Sequence, residues 1–148
     1  MSTQTSRAVI AAARRWLGTP YRHQASTMGA GCDCLGLIRG VWREVLGPEP
    51  ELPPAYSHMW GELGQDELLW QAALRHLQPV DHLVWQGGDV VLLRMRQGAV
   101  AKHLGILVQL HPEARFIHAY SGHGVVESAL SAPWARRVVA RFRFPEKG

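Results

Sequence analysis

The chain has 148 residues, 47% of them hydrophobic, with two cysteines and a formal net charge of 16 − 12 = +4. That is one domain's length with enough apolar residues for a core, which excludes a disordered chain and a disulfide scaffold. No window approaches about 18 uninterrupted apolar residues, so no membrane-spanning helix is expected. Fourteen of the sixteen basic residues are arginine, dispersed from Arg7 to Arg143, with no lysine tract and no basic–aromatic interleaving. A nucleic-acid partner is therefore not expected, and the basic balance suits solubility or an anionic polymer. The short apolar run at residues 8–13 precedes Arg14-Arg15 instead of following it, the reverse of a secretory leader, so no signal peptide is expected.

Along the chain, residues 5–17 predict a helix, with Val9, Ile10, Ala13, Trp16 and Leu17 at 3.6-residue spacing and Gly18 as its stop. A glycine-rich loop covers residues 18–31. The helical period returns at Cys34, with Leu35, Ile38, Val41, Trp42 and Val45 on one face and Gly47 at the end. Residues 48–54 (PEPELPP) predict an exposed connection. Residues 66–77 predict a third helix carrying Leu69, Ala73 and Leu77 on one stripe. The second half changes to strands: residues 89–93, 103–110, 116–120, 125–128 and 138–144, with turns at His111-Pro112 and Ser121-Gly122. Helices first and antiparallel strands later predict an α+β fold, with the N-terminal helices on one face of a small sheet and one domain over residues 1–148.

The sharpest local feature is Gly31-Cys32-Asp33-Cys34-Leu35-Gly36-Leu37. Cys34 stands where the loop becomes a helix. Unpaired N–H groups and a partial positive charge gather there, which favours a thiolate and could stabilise an oxyanion. Asp33 is placed as the N-cap. The plainer alternative is a small buried helix residue. A nucleophilic thiol needs a base, and the base an orienting partner. His103 opens an alternating strand, on the face opposite Leu104, Ile106 and Val108, where the first helices or a cleft could meet it. His118 lies in the next strand, so antiparallel pairing can set the two rings side by side. His23, in the loop before the cysteines, could face the same cleft; the remaining histidines are expected to be solvated. A zinc set of Cys32, Cys34, His103 and His118 is disfavoured, because one residue between the cysteines is too few for tetrahedral chelation. A Cys32–Cys34 disulfide would be a tight, reducible ring, and Cys32 is expected to be an ordinary loop residue. The chemistry calls for no metal and no cofactor.

These residues resemble the NlpC/P60 cell-wall peptidases. The resemblance runs through Gly18-Thr19-Pro20-Tyr21, Asp33-Cys34-Leu35-Gly36-Leu37, Gly88-Asp89-Val90-Val91, His103-Leu104-Gly105-Ile106 and Ile117-His118-Ala119, and spans nearly the whole chain. It implies a papain-like fold and hydrolysis of peptidoglycan stem peptides, typically between D-γ-glutamate and a diamino acid such as meso-diaminopimelate. It also implies Cys34 as nucleophile, His103 as general base and acid, and His118 as the residue that orients His103. Tyr21 would line the cleft and help the oxyanion hole, and Asp33 would help bind the amino end of the stem peptide. The Gly-Cys-Asp-Cys-Leu-Gly-Leu variant, with the short connection at 48–54, resembles the phage cell-wall peptidases encoded in tail modules, those of gene transfer agents included. That branch implies tail-tip or baseplate hub partners, and a place on a virion or particle tail without a leader. Its action would be in the periplasm of the target cell.

Two positions depart from the family pattern. Leu35 stands where relatives carry a serine that can hold a free N-terminal alanine, so the accepted stem peptides should differ. Arg22-His23-Gln24 stands where Gly-Gly is common, so the cleft rim should be more basic. These departures leave open a structural tail-tip module with a degenerate or occluded site. An amidase or acyltransferase using the same Cys–His chemistry is a further alternative.

Overall fold

The computed structural model describes residues 3–51, 67–80 and 84–147. Helix α1 (Gln4–Arg15) opens with a reciprocal cap: Thr3 Oγ1 accepts from the Ser6 N–H at 3.0 Å, and Ser6 Oγ accepts from the Thr3 N–H at 2.8 Å. This satisfies donors that a helix start leaves unpaired. The helix ends two residues earlier than its apolar period suggests, because 16–18 form a turn. The loop that follows holds a small antiparallel ribbon, β1 (Ser26–Thr27) with β2 (Gly31–Cys32). Helix α2 (Cys34–Val45) begins at Cys34 and buries Leu37, Ile38, Val41 and Val45. It lies close against α1 because Gly40 has no side chain: a Cβ there would stand 2.0 Å from Trp16 Cζ2.

The part of the proline-rich connection within the described residues, 48–51, is fastened by charge. Glu49 takes Arg39 Nε at 2.6 Å and Arg43 Nη1 at 3.0 Å, and Glu51 accepts from Arg75 and His76. Residues 52–54, and Asp66 at the expected start of the third helix, lie outside the described residues, as do His58 and His82. Helix α3 is observed as Leu68–His76.

Six antiparallel strands make the sheet: β3 (Gln78–Pro79), β4 (Val90–Leu93), β5 (His103–Gln109), β6 (Arg115–Tyr120), β7 (Gly124–Ala129) and β8 (Val138–Arg143). Their order is β3-β8-β4-β5-β6-β7. A four-residue helix, α4 (Ala132–Ala135), links β7 to β8. The α+β architecture is as expected, with β3 and α4 added. Both faces of the central strands are covered. On one face, Val9, Ala12 and Ala13 of α1 and Leu37, Ile38 and Val41 of α2 pack on Val90, Leu92, Leu104, Ile106 and Ile117. On the other, Val91, Leu93, Leu107 and Phe116 pack with Leu130, Trp134 and Val138. That is why all four residues of β4 are buried and why it reads as an unbroken apolar run. Asp89, fully buried, anchors the start of β4 to β8 by a two-pronged ion pair, with Arg143 Nε to Oδ1 at 2.7 Å and Nη2 to Oδ2 at 3.0 Å.

Candidate active site

Asp33 sets the start of α2. It is 2% exposed, its Oδ1 accepts from the Gly36 N–H at 2.7 Å, and its Oδ2 accepts from the Gln24 N–H at 2.7 Å. The carboxylate thus caps the helix and ties the preceding loop to it. His23 Nδ1 stands 3.9 Å from Oδ2, which puts that histidine beside the site as well. The cap fixes Cys34 as the first helical residue.

The Cys34 thiol lies over the opening of β5. Sγ is 3.6 Å from the Lys102 carbonyl oxygen, to which it donates, and it is also engaged by the Leu104 N–H. It therefore spans the backbone of the residue between them, His103. Burial pushes the thiol up to about 12, and the Asp33 charge adds to the rise; the N–H groups of Leu104, Leu35 and Cys34 itself pull the other way. Those N–H groups favour negative charge on the sulfur or on an atom bonded to it.

His103 and His118 are joined ring to ring, His103 Nε2 to His118 Nδ1, at 2.8 Å. His118 Nε2 meets Ser128 Oγ at 3.0 Å. Among the described residues, no hydrogen bond engages His103 Nδ1. His103 is 7% exposed and His118 not at all. Burial, with His118 and Lys102 adding to it, lowers His103 to about 3; burial, with His123 adding, lowers His118 to about 4. Both shifts favour the neutral imidazoles, and burial likewise favours the neutral thiol.

An aromatic shell keeps the rings dry. Phe116 stacks on His118 with centroids 4.1 Å apart, Trp134 stacks on His103 at 6.0 Å and meets His118 edge-on at 5.1 Å, and Tyr120 closes on both. Gly105 makes the space: a Cβ there would stand 2.6 Å from the Phe116 ring and 3.3 Å from His118 Cβ.

Tyr21 bridges to Cys32 beside the thiol. Burial, then the charges of Cys34, Asp33 and Cys32, push its phenol up to about 12, so it keeps its proton as a donor. Leu35 points away, into an apolar cavity of about 250 Å3 shared with Ile38, Trp42, Leu69 and Leu104. Both cysteines are free thiols. Cys32 corrects one expectation: it is a fully buried core residue in β2, not an ordinary loop residue. Among the described residues, no three His, Cys, Asp or Glu side chains are grouped to hold a metal ion.

Residues 18–143, which contain every residue of this arrangement, match the NlpC/P60 family. The chain belongs to the NlpC/P60 family. It is 29% identical over 133 residues to the murein DD-endopeptidase MepS/murein LD-carboxypeptidase of Escherichia coli (strain K12), covering 85% of this chain and 59% of that protein. It is 28% identical over 137 residues to the gamma-DL-glutamyl hydrolase of Bacillus subtilis (strain 168), covering 92% of this chain and 29% of that one. The chain thus spans 59% of the length of the E. coli relative. Its fold matches an NLP/P60-family, lipoprotein-like structure from Staphylococcus aureus subsp. aureus Mu50, with a TM-score of 0.67 at 19% identity over 99% of this chain and 43% of that one. It also matches the NlpC/p60 domain of the peptidoglycan hydrolase SagA, with a TM-score of 0.62 at 18% identity over 94% of this chain and 98% of that one.

In this NlpC/P60 chain the thiol and the imidazoles come from opposite sides of the sheet. Alternation places His103 on the face away from the helices, and it is the first residue of β5, so its backbone lies at the sheet's end where α2 begins. Ser128 and Trp134 escaped sequence reasoning. Cross-strand register was the available signal for Ser128, which pairs with Phe116 on the same face as His118. Trp134 offered none, since a four-residue helix has no apolar period.

Proposed function

We propose that this NlpC/P60 chain is a cysteine peptidase, one domain over residues 1–148, that hydrolyses peptidoglycan stem peptides at the D-γ-glutamyl–diamino acid bond. One observation carries the reading: a helix-start thiol seated on the backbone of His103, whose ring is hydrogen-bonded through Nε2 to His118. The relatives add support, since two of them are named for murein endopeptidase and gamma-glutamyl hydrolase activities.

The chemistry follows from a neutral pair. As Sγ attacks the amide carbon, its proton passes to His103 Nδ1, so the thiolate forms only with the new bond. The Cys34 N–H and the Tyr21 hydroxyl meet the developing oxyanion. The protonated His103 then delivers its proton to the leaving amine, giving a thioester; water, deprotonated by the same nitrogen, releases the acid and restores the thiol. His118 holds the His103 ring throughout. Asp33 fixes the helix start; because both its oxygens already accept backbone N–H groups, it meets a substrate amine only as a further, shared partner. Leu35 offers no hydroxyl to the substrate and turns instead into the apolar cavity beside α3.

The setting that fits is a phage-like tail, held by tail-tip or baseplate hub proteins and delivered to the wall of a target cell. Its support is the Gly31–Leu37 motif variant and the short connection after α2. Mass spectrometry of purified peptidoglycan digested by wild-type and Cys34→Ala protein tests the enzyme. Fragments ending in D-γ-glutamate, produced by wild type alone, are expected. A folded wild type that yields none overturns the peptidase and transfers the chain to a structural tail-tip role. Cleavage at the lactyl amide would make it an amidase instead.

A further inference from the structure

We propose that Ser128 is a positioning residue: by accepting from His118, its hydroxyl sets both imidazoles in the tautomer that leaves His103 Nδ1 open to the Cys34 proton. The inference rests on the peptidase reading above and concerns how its base is held ready.

The geometry is a line of two hydrogen bonds, Ser128 Oγ to His118 Nε2 at 3.0 Å and His118 Nδ1 to His103 Nε2 at 2.8 Å. A neutral imidazole has one N–H and one lone pair, so the line can run in only two directions. In the first, His103 Nε2–H donates to His118 Nδ1, and His118 Nε2–H donates to Ser128 Oγ. His103 Nδ1 then carries a lone pair and is a base. In the second, the Ser128 O–H donates to His118 Nε2, His118 Nδ1–H donates to His103 Nε2, and the proton of His103 sits on Nδ1. A ring in that state cannot take a proton from Cys34.

Protonation of His103 during attack permits only the first direction. Its Nε2–H then needs the lone pair of His118 Nδ1, which puts the His118 proton on Nε2. That proton, on a fully buried ring, needs an acceptor, and Ser128 is the one in place. A serine hydroxyl rotates and offers two acceptor lone pairs, and Ser128 is half-buried, so its own proton can turn outward. Without the hydroxyl, the first direction ends in a buried N–H with no acceptor, and the second in a bare lone pair. The unmet donor is the worse of the two, so the line reverses.

Tautomers can be read directly. Protein labelled with 15N in its histidine rings is examined by long-range 1H–15N correlation at pH 7, as wild type, Ser128→Ala and Ser128→Thr. Wild type is expected to show both rings protonated at Nε2. Ser128→Ala should bring up Nδ1-protonated signals for both, and Ser128→Thr should keep the wild-type pattern. In parallel, kcat for release of stem-peptide fragments should fall roughly tenfold in Ser128→Ala with KM little changed, and Ser128→Thr should recover most of it. A wild-type His118 protonated at Nδ1 overturns the proposal, even if Ser128→Ala fails to fold. So does a folded Ser128→Ala with wild-type tautomers and wild-type kcat. Peptidoglycan cleavage that survives Cys34→Ala overturns the peptidase reading instead, and leaves the tautomer result to be judged on its own.

Discussion

One face of the sheet is packed by α1 and α2 with small and branched aliphatic side chains; the other holds two histidines inside Phe116, Tyr120 and Trp134. The first face places the Cys34 thiol by stacking a capped helix on the strands. The second places the paired imidazoles of His103 and His118 by enclosing them in aromatic rings. The division matters because the two groups need opposite surroundings. A sulfur that must become negative gains from N–H groups at a helix start. A base that must stay neutral until attack gains from a dry aromatic wall, which keeps the proton off it at pH 7.

The strongest way to break this comparison is to remove one ring at a time. In the proposed mechanism His103→Ala removes the base and should lower turnover by about 10³-fold or more, whereas His118→Ala should cost about 10–100-fold. Steady-state release of stem-peptide fragments by the two variants measures the gap, and equal losses would deny the two rings separate roles. Acid comes next. Both rings titrate in the native state far below the 6.5 of an unfolded histidine, at about 3 and about 4, so the unfolded chain binds these protons first. Stability is whole above pH 6.5 and falls as pH drops, because the unfolded rings take up protons that the buried rings do not. Urea unfolding at pH 7, 6 and 5 should show this decline, and a His103→Gln/His118→Gln double variant should flatten it. An identical slope in the double variant would place the acid sensitivity elsewhere. The smallest effect belongs to the helix face. Asp33→Ala should cost about 1–2 kcal/mol, while Asp33→Asn, which can still cap, should cost less. Thermal melts of the two separate capping from charge. Because the Asp33 charge raises the thiol, Asp33→Asn should also speed Cys34 alkylation at neutral pH.

The two faces also differed in how much of them the sequence disclosed. α2 was plain from Ile38, Val41 and Val45 and from the Asp33 cap, because a helix on a core repeats its apolar positions. β5 was plain from Leu104, Ile106 and Val108, and the motifs around Cys34, His103 and His118 marked segments that the fold brings next to one another. The aromatic enclosure was hidden. Trp134 follows Pro133 in a helix of four residues, and its partner rings come from two other strands, so only tertiary register unites them. Cys32 was misjudged as an ordinary loop residue because a two-residue ribbon leaves no pattern. Asp33 was correctly placed as a cap, but its second tie, to Gln24, depends on a backbone turn at φ 64° that no side-chain pattern announces.

The Asp33 cap has an angular consequence. Successive side chains on a helix are rotated by about 100°, so the residue at which a helix starts decides the compass bearing of every group it carries. Here the stop that sets that bearing and the thiol that it aims are neighbours in the chain. Were α2 to begin one residue later, the sulfur would swing away from Lys102 and Leu104 although no side chain had changed. A single carboxylate therefore works as the detent of a dial, holding the rotational setting at which the thiol faces the strand that carries His103.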